Sequence, residues 1–145
     1  MKKTWLAAVA ALLMFVLIGC NNFSYTHPIG IPTISLSLGD RSLTQDERTG
    51  KWILSFTMNA HTLPGSPSGV INSFELSSGG FLTAGLRVEG CEPVVSTDCG
   101  PFTVNYSLGF ATYPPVGSYV ITAYTVVGQN GSKYTERLAE PITIH

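Results

Sequence analysis

Phe102-Thr103-Val104-Asn105-Tyr106-Ser107-Leu108-Gly109-Phe110 alternates a large apolar side chain with a small or polar one along nine residues. A period of two puts the five apolar residues on one face of an extended strand and Thr103, Asn105, Ser107 and Gly109 on the other. The same period recurs on both sides of this stretch. Upstream, Trp52, Leu54, Phe56, Met58 and Ala60 share a face, opposed by Ser55, Thr57 and Asn59, with Ile53 the one exception. Ile34, Leu36 and Leu38 alternate with Ser35 and Ser37. Val70–Leu76 runs into Ser77-Ser78-Gly79-Gly80, a turn, and Phe81–Glu89 follows with Leu82, Ala84, Leu86 and Val88 in phase. Downstream, Ser118–Val127 and Lys133–Leu138 flank Gln129-Asn130-Gly131-Ser132. Asn-Gly there suits a tight hairpin turn, because both central residues tolerate positive φ. The last strand resumes after Pro141 as Ile142–Ile144.

Seven strand-period segments, separated by Gly, Pro and Ser turns and with no helical period, predict an all-β fold. Two packed antiparallel sheets account for it. Pro141 has no N–H to give a ladder, so an edge or a bulge is its expected place. No repeat of 20–50 residues is present, which makes the body one module.

Gly117-Ser118-Tyr119-Val120-Ile121-Thr122-Ala123-Tyr124-Thr125-Val126-Val127-Gly128-Gln129-Asn130-Gly131 resembles the penultimate strand and hairpin of bacterial immunoglobulin-like or fibronectin type III-like domains. Pro141-Ile142-Thr143-Ile144-His145 resembles their closing strand. The resemblance covers residues 112–145 and implies an immunoglobulin-like sandwich of about seven strands. It also implies that Tyr119 takes the tyrosine-corner place, ring in the core and hydroxyl on nearby backbone. Two departures go with it. Val127 stands where the family often has Asp before the turn, so no calcium contact of that kind is expected. The cysteine pair that joins the sheets of antibody domains is missing.

The N-terminus carries a different message. Lys2 and Lys3 precede an uncharged, largely apolar run from Trp5 to Ile18. Those 14 residues match a secretory h-region and fall short of the ~20 that a membrane-spanning helix needs. The run ends in Leu17-Ile18-Gly19-Cys20, which resembles the lipobox of bacterial lipoproteins. The resemblance implies cleavage before Cys20, a diacylglyceryl group on its thiol and an acylated (palmitate-type) amino terminus. Two or three chains hold a protein durably at a bilayer where one holds it marginally. An ordinary signal peptide with a nearby Cys and an uncleaved N-terminal anchor are the competing readings. Asn21 favours the outer membrane over inner-membrane retention if the organism has two membranes. The expected organisation is a signal peptide at 1–19, a lipidated tether at 20–32 and the sandwich at 33–145. Pro28 and Pro32 extend the tether.

Charge narrows the partners. The chain of 145 residues is 12% charged with net charge -1. Without Lys2 and Lys3, six basic residues face nine acidic ones, for a net charge of -3. Nothing there neutralises phosphates, so nucleic acid is not an expected partner. Residues 20–145 hold 14 Ser and 14 Thr against 15 charged residues, so hydroxyls must cover much of the surface.

With Cys20 lipidated, Cys91 and Cys99 remain as an even pair in an exported chain, which favours a disulfide. The alternative, a metal or redox pair, matches no common zinc spacing. His27, His61 and His145 have no partner at metal-ligand spacing. Asp40, Asp46 and Glu47 flank an expected loop, Gly39–Gly50; a cation site there competes with a solvated loop, and the spacing is not that of a calcium loop. No Ser occupies a Gly-x-Ser-x-Gly elbow. Tyr113, Tyr124 and Tyr134 lie on or near the last hairpin. If Tyr119 points inward, strict alternation turns Tyr124 outward, and the three make a candidate interaction surface; packing within the sheet is the competing reading. The expected function is a non-catalytic, lipid-anchored envelope module that binds a protein partner and needs no cofactor. The alternative is a module for carbohydrate or another small ligand, which requires aromatics along one groove.

Overall fold

The computed structural model describes residues 27–145. The signal peptide at 1–19, the lipid attachment at Cys20 and the first part of the tether lie outside the described residues. Among the described residues there are seven strands and no helix: β1 (Ile34–Gln45), β2 (Trp52–Thr62), β3 (Gly69–Leu76), β4 (Phe81–Val88), β5 (Cys99–Phe110), β6 (Val120–Gly128) and β7 (Lys133–Thr143). They form one sheet in the order β1-β2-β5 and a second in the order β4-β3-β6-β7, with every pairing antiparallel. The expected two-sheet sandwich is therefore present. The fourth strand lies beside the third, whereas in immunoglobulin constant domains it joins the opposite sheet.

The core is the sum of inward faces. From the first sheet come Leu54, Phe56, Met58 and Ala60, all buried, backed by the half-buried Phe102, Val104, Tyr106, Leu108 and Phe110 of β5. From the second come Ile71, Phe74, Leu82, Val88, Ile121, Tyr124 and Val126. Each large side chain withdrawn in this way contributes ~1.5–3 kcal/mol of transfer free energy. Strict alternation in β2, β4 and β5 holds as the sequence predicts, because their inward residues stay in phase along the strand.

In β6 the alternation breaks. Against β3 its pairing passes from Ala123–Glu75 to Ile121–Leu76, leaving Thr122 as an extra residue, and at the same point the pairing with β7 jumps from Arg137 to Ile142, where the surplus lies on β7. An extra residue exchanges the two faces of everything beyond it. Ile121 faces the core, and beyond the bulge so do Tyr124, Val126 and Gly128. Tyr124 is 2% exposed, so the expectation that it faces solvent is wrong. Tyr134 pairs with Val126 on the inner face of β7, packs against the core and meets His27 edge-on at 5.4 Å. It too lies off any open face. Tyr119 precedes β6 with its ring edge-on to Phe110 at 5.3 Å. Among the described residues its hydroxyl has no hydrogen-bond partner, so the bond to nearby backbone that the resemblance implies is not made there.

Two other expectations are corrected. The sequence suggests a loop from Gly39, but β1 bulges between Leu38 and Arg41 and continues to Gln45. The residues expected to end the tether belong to the body: Ile31 is 2% exposed and Pro32 is buried. They cross the ends of β3 and β6, where Gly69 and Gly128 leave room. A Cβ at Gly128 would run into the Gly30 carbonyl oxygen, and one at Gly69 would lie 2.9 Å from the Pro32 ring. Pro141 sits, as expected, in the edge strand β7, where pairing jumps from Arg137 to Ile142.

Hydrogen bonds clasp the sheets at their rims. The Tyr106 hydroxyl donates to the Thr83 carbonyl at 3.0 Å, and the Tyr124 hydroxyl to that of Ile34 at 3.4 Å. Arg41 reaches the Ile144 carbonyl at 3.2 Å, and Thr62 the Glu89 carbonyl at 2.9 Å. Ser66 is 8% exposed and ties the N-terminal segment down: its hydroxyl accepts from the Thr33 N–H at 2.8 Å and donates to the Thr33 carbonyl at 3.0 Å. Burial pushes the Tyr106 phenol up to about 12 and also raises that of Tyr124, where the nearby Glu136 carboxylate adds to the effect.

Ser66→Ala leaves the Thr33 N–H without its acceptor, while the Thr33 carbonyl keeps the Leu63 N–H, and should cost about 1–2 kcal/mol in denaturant unfolding. Tyr119→Phe loses no described bond and should change stability by less than ~0.5 kcal/mol. Alkaline unfolding tests the buried phenols. Both are neutral in either state below the ordinary phenol value of about 10. Above it the unfolded chain releases their protons first, so stability falls with rising pH, for Tyr106 until about pH 12. Tyr106→Phe should flatten that slope, and an unchanged slope would show that the phenol is not buried.

Candidate interaction surface

The connections divide between two ends of the sandwich. One end gathers the N-terminal segment 27–33, the β2–β3 loop, the β4–β5 loop and the β6–β7 hairpin. The other gathers the β1–β2 turn, the β3–β4 turn, the β5–β6 loop and the chain end at Ile144-His145. An eleven-residue strand such as β2 separates them by about 35 Å.

Exposed apolar residues collect at these ends. At the second, Tyr113 is 51% exposed, Phe81 67% and Val116 81%. Tyr113 stands edge-on to Trp52 at 4.9 Å and to the His145 ring at 5.4 Å. His145 Nε2 lies 2.9 Å from the Pro114 carbonyl, and the His145 carbonyl accepts from the Gly117 N–H. The β5–β6 loop is thereby fastened to the last residue of β7's continuation. Beside it a cleft of about 370 Å³ opens between β1 and that continuation, lined by Arg41, Leu43, Leu54, Val116, Ile144 and His145. An exposed valine and one cationic side chain line this apolar cleft, with the Tyr113 ring beside it on His145. Of the three tyrosines predicted to share a surface, only Tyr113 is on this patch. Val116 and the cleft come from segments far apart in sequence, and no local pattern announces them.

The outer face of the first sheet differs. Its cross-strand pairs are Ser55–Ser107, hydroxyls 3.5 Å apart, and Thr57–Asn105 at 2.7 Å. With Asp40 and Arg41 they border a shallow depression of about 430 Å³. Hydroxyls and amides spend their hydrogen bonds on one another there. The Asp46 carboxylate, a candidate cation ligand from its position, is occupied by its own turn. Thr49 Oγ1 donates to it at 2.7 Å and the Arg48 N–H at 2.9 Å, and together they lower its pKa. His27, His61 and His145 stand apart, at one end, on the outer face of β2 and at the other end.

Cys91 and Cys99 are joined, with Cα atoms 5.6 Å apart. The bridge closes a short loop and contributes about 2–3 kcal/mol by restricting the unfolded chain. It fixes the β4–β5 loop at the end opposite Tyr113.

No protein-family model and no curated protein matches this sequence. Among solved structures, the structural-genomics target SoR45 is 15% identical over 77% of this chain and 84% of its own, with a TM-score of 0.38. A Bordetella pertussis protein provisionally assigned as ApaA is 18% identical over 79% of this chain and 94% of its own, also with a TM-score of 0.38.

Residues 20–145 contain one tryptophan, Trp52, so its fluorescence reports on the patch. Tyr113→Ala should shift that emission to the red by wetting the indole and cost about 1 kcal/mol of edge-on ring contact. An unshifted spectrum would mean that the two rings do not touch in solution.

Proposed function

We propose that this protein is a lipid-anchored module of the bacterial cell envelope that holds a protein partner and catalyses nothing. The observation that carries the reading is the opposition of its two ends. The described chain begins at His27, only seven residues after the lipobox cysteine Cys20. Tyr113, Val116 and the cleft beside His145 lie at the other end of the sandwich. Acyl chains on Cys20 would hold the first end at the bilayer, and the patch would then face away from it, toward a partner.

The surface between the ends supports the same reading. Ser, Thr and Asn, paired across strands, keep the outer face of the first sheet solvated with few charges. A hydroxyl-covered face without an exposed apolar patch suits a spacer that must not adhere to the surrounding envelope. Of the two destinations open to a lipoprotein in a diderm cell, Asn21 favours the outer membrane.

Two arms test this. Cys20→Ser should abolish incorporation of labelled fatty acid and release the protein from membranes or leave it as precursor. A photo-reactive residue at Tyr113 in the Cys20 protein should give a discrete adduct in intact cells, and one at Thr103, on the outer face of β5, should not. Membrane attachment without Cys20 would contradict the anchor. Identical adducts from both positions, or none from Tyr113, would contradict the partner surface.

A further inference from the structure

We propose that the end of the sandwich nearest Cys20 is a foot that seats on the bilayer through two apolar turn tips, Ile29 and Val94. The inference rests on lipid attachment at Cys20 and adds to it a second, non-covalent contact with the same membrane.

The two tips are built alike. The Ile31 N–H donates to the Pro28 carbonyl at 3.2 Å, closing a turn whose first central residue is Ile29. The Val95 N–H donates to the Glu92 carbonyl at 3.3 Å, closing a turn whose second central residue is Val94. Turn centres ordinarily carry Gly, Asn, Asp, Ser or Pro. Gly30 and Pro93 meet that need here, and the central residues beside them thrust out the two most exposed large apolar side chains among the described residues, Ile29 at 97% and Val94 at 89%. Val95, 37% exposed, stands beside the second. Neither turn is loose. Ile31 and Pro32 are locked in the core directly after the first, and the Cys91–Cys99 bridge brackets the second. The Cys91 carbonyl accepts from the Gly65 N–H at 2.9 Å, and the Cys91 N–H donates to the Ser66 carbonyl at 2.9 Å. Ser66 in turn holds Thr33. One hydrogen-bonded chain therefore joins the two turns at one end of the molecule.

The length of chain before His27 identifies the occupant. Seven residues from Cys20 to His27 span at most ~25 Å, less than the ~35 Å length of the sandwich. A body held that close meets the bilayer surface at high effective concentration, so a small apolar contact suffices to orient it. The acidic Glu89, Glu92 and Asp98 share the exposed β4–β5 loop. The seat is consequently apolar insertion at the headgroup boundary rather than attraction to anionic lipid.

The test uses the mature lipidated protein in phosphatidylethanolamine–phosphatidylglycerol vesicles whose acyl chains are brominated near the headgroup. Acylation is read on the same sample by intact mass. Ile29→Trp and Val94→Trp should each add emission that the brominated lipid quenches, while Trp52, at the far end, keeps its emission. Raising the phosphatidylglycerol fraction should weaken the quenching. Acylated protein whose added tryptophans go unquenched would overturn the foot and leave the anchor standing. Emission already blue-shifted without vesicles, and unquenched with them, would show a second protein copy covering the tips and would likewise overturn it. Protein without acyl chains would remove both the anchor and the foot.

Discussion

Everything in this structure depends on the contact between the inner face of β2 and the inner faces of β3 and β6. Leu54, Phe56 and Met58 on one side meet Ile71, Phe74, Tyr124 and Val126 on the other, all buried. Among the described residues no disulfide joins a strand of one sheet to a strand of the other, since Cys99 opens β5 but Cys91 lies in the loop beyond β4. Apolar burial, with the rim hydrogen bonds, holds the sheets together, and side-chain phase decides whether it can. The Thr122 bulge supplies that phase in β6. Without it Tyr124 and Val126 would face solvent, and Thr125 and Val127 would face the core. Tyr124 suits this position, because its ring fills the interior while its hydroxyl reaches the Ile34 carbonyl of the opposite sheet.

From that packing comes a body with two unlike ends. The Tyr113 end is assembled late in the chain, from the β5–β6 loop and the residues after β7, and is pinned by His145. The opposite end is assembled from the N-terminal segment and the bridged loop, through Ser66. In the proposed arrangement the first looks outward and the second rests near lipid. The hydroxyl-rich face between them explains how a chain with so few charges keeps a solvated surface. Its cross-strand Ser55–Ser107 and Thr57–Asn105 pairs satisfy one another without bringing opposite charges together.

Much of the fold is legible in the sequence because β2, β4 and β5 keep strict period two over their apolar residues. β6 is not fully legible. A bulge leaves no local signature when both neighbours of the extra residue suit a strand, as Ile121 and Ala123 do, and the phase beyond it is set by partners distant in sequence. Gly39-Asp40 reads as a turn but is a bulge within β1, for the same reason. Ile31-Pro32 reads as tether because proline segments lack a period, yet Gly69 and Gly128 open the space that buries it. Cys91 and Cys99 are legible from parity alone. The candidate surface is legible only at Tyr113, since its other parts meet through tertiary structure.

The inward turn of Tyr124 is thus the most exacting point, and chemical nitration of the folded protein measures it directly. Tetranitromethane treatment followed by peptide mass mapping should find Tyr113 modified and Tyr124 untouched until denaturant is added. Nitration of Tyr124 at the rate of Tyr113 in the native protein would contradict the bulge, the core that depends on it and the two-ended body built around that core.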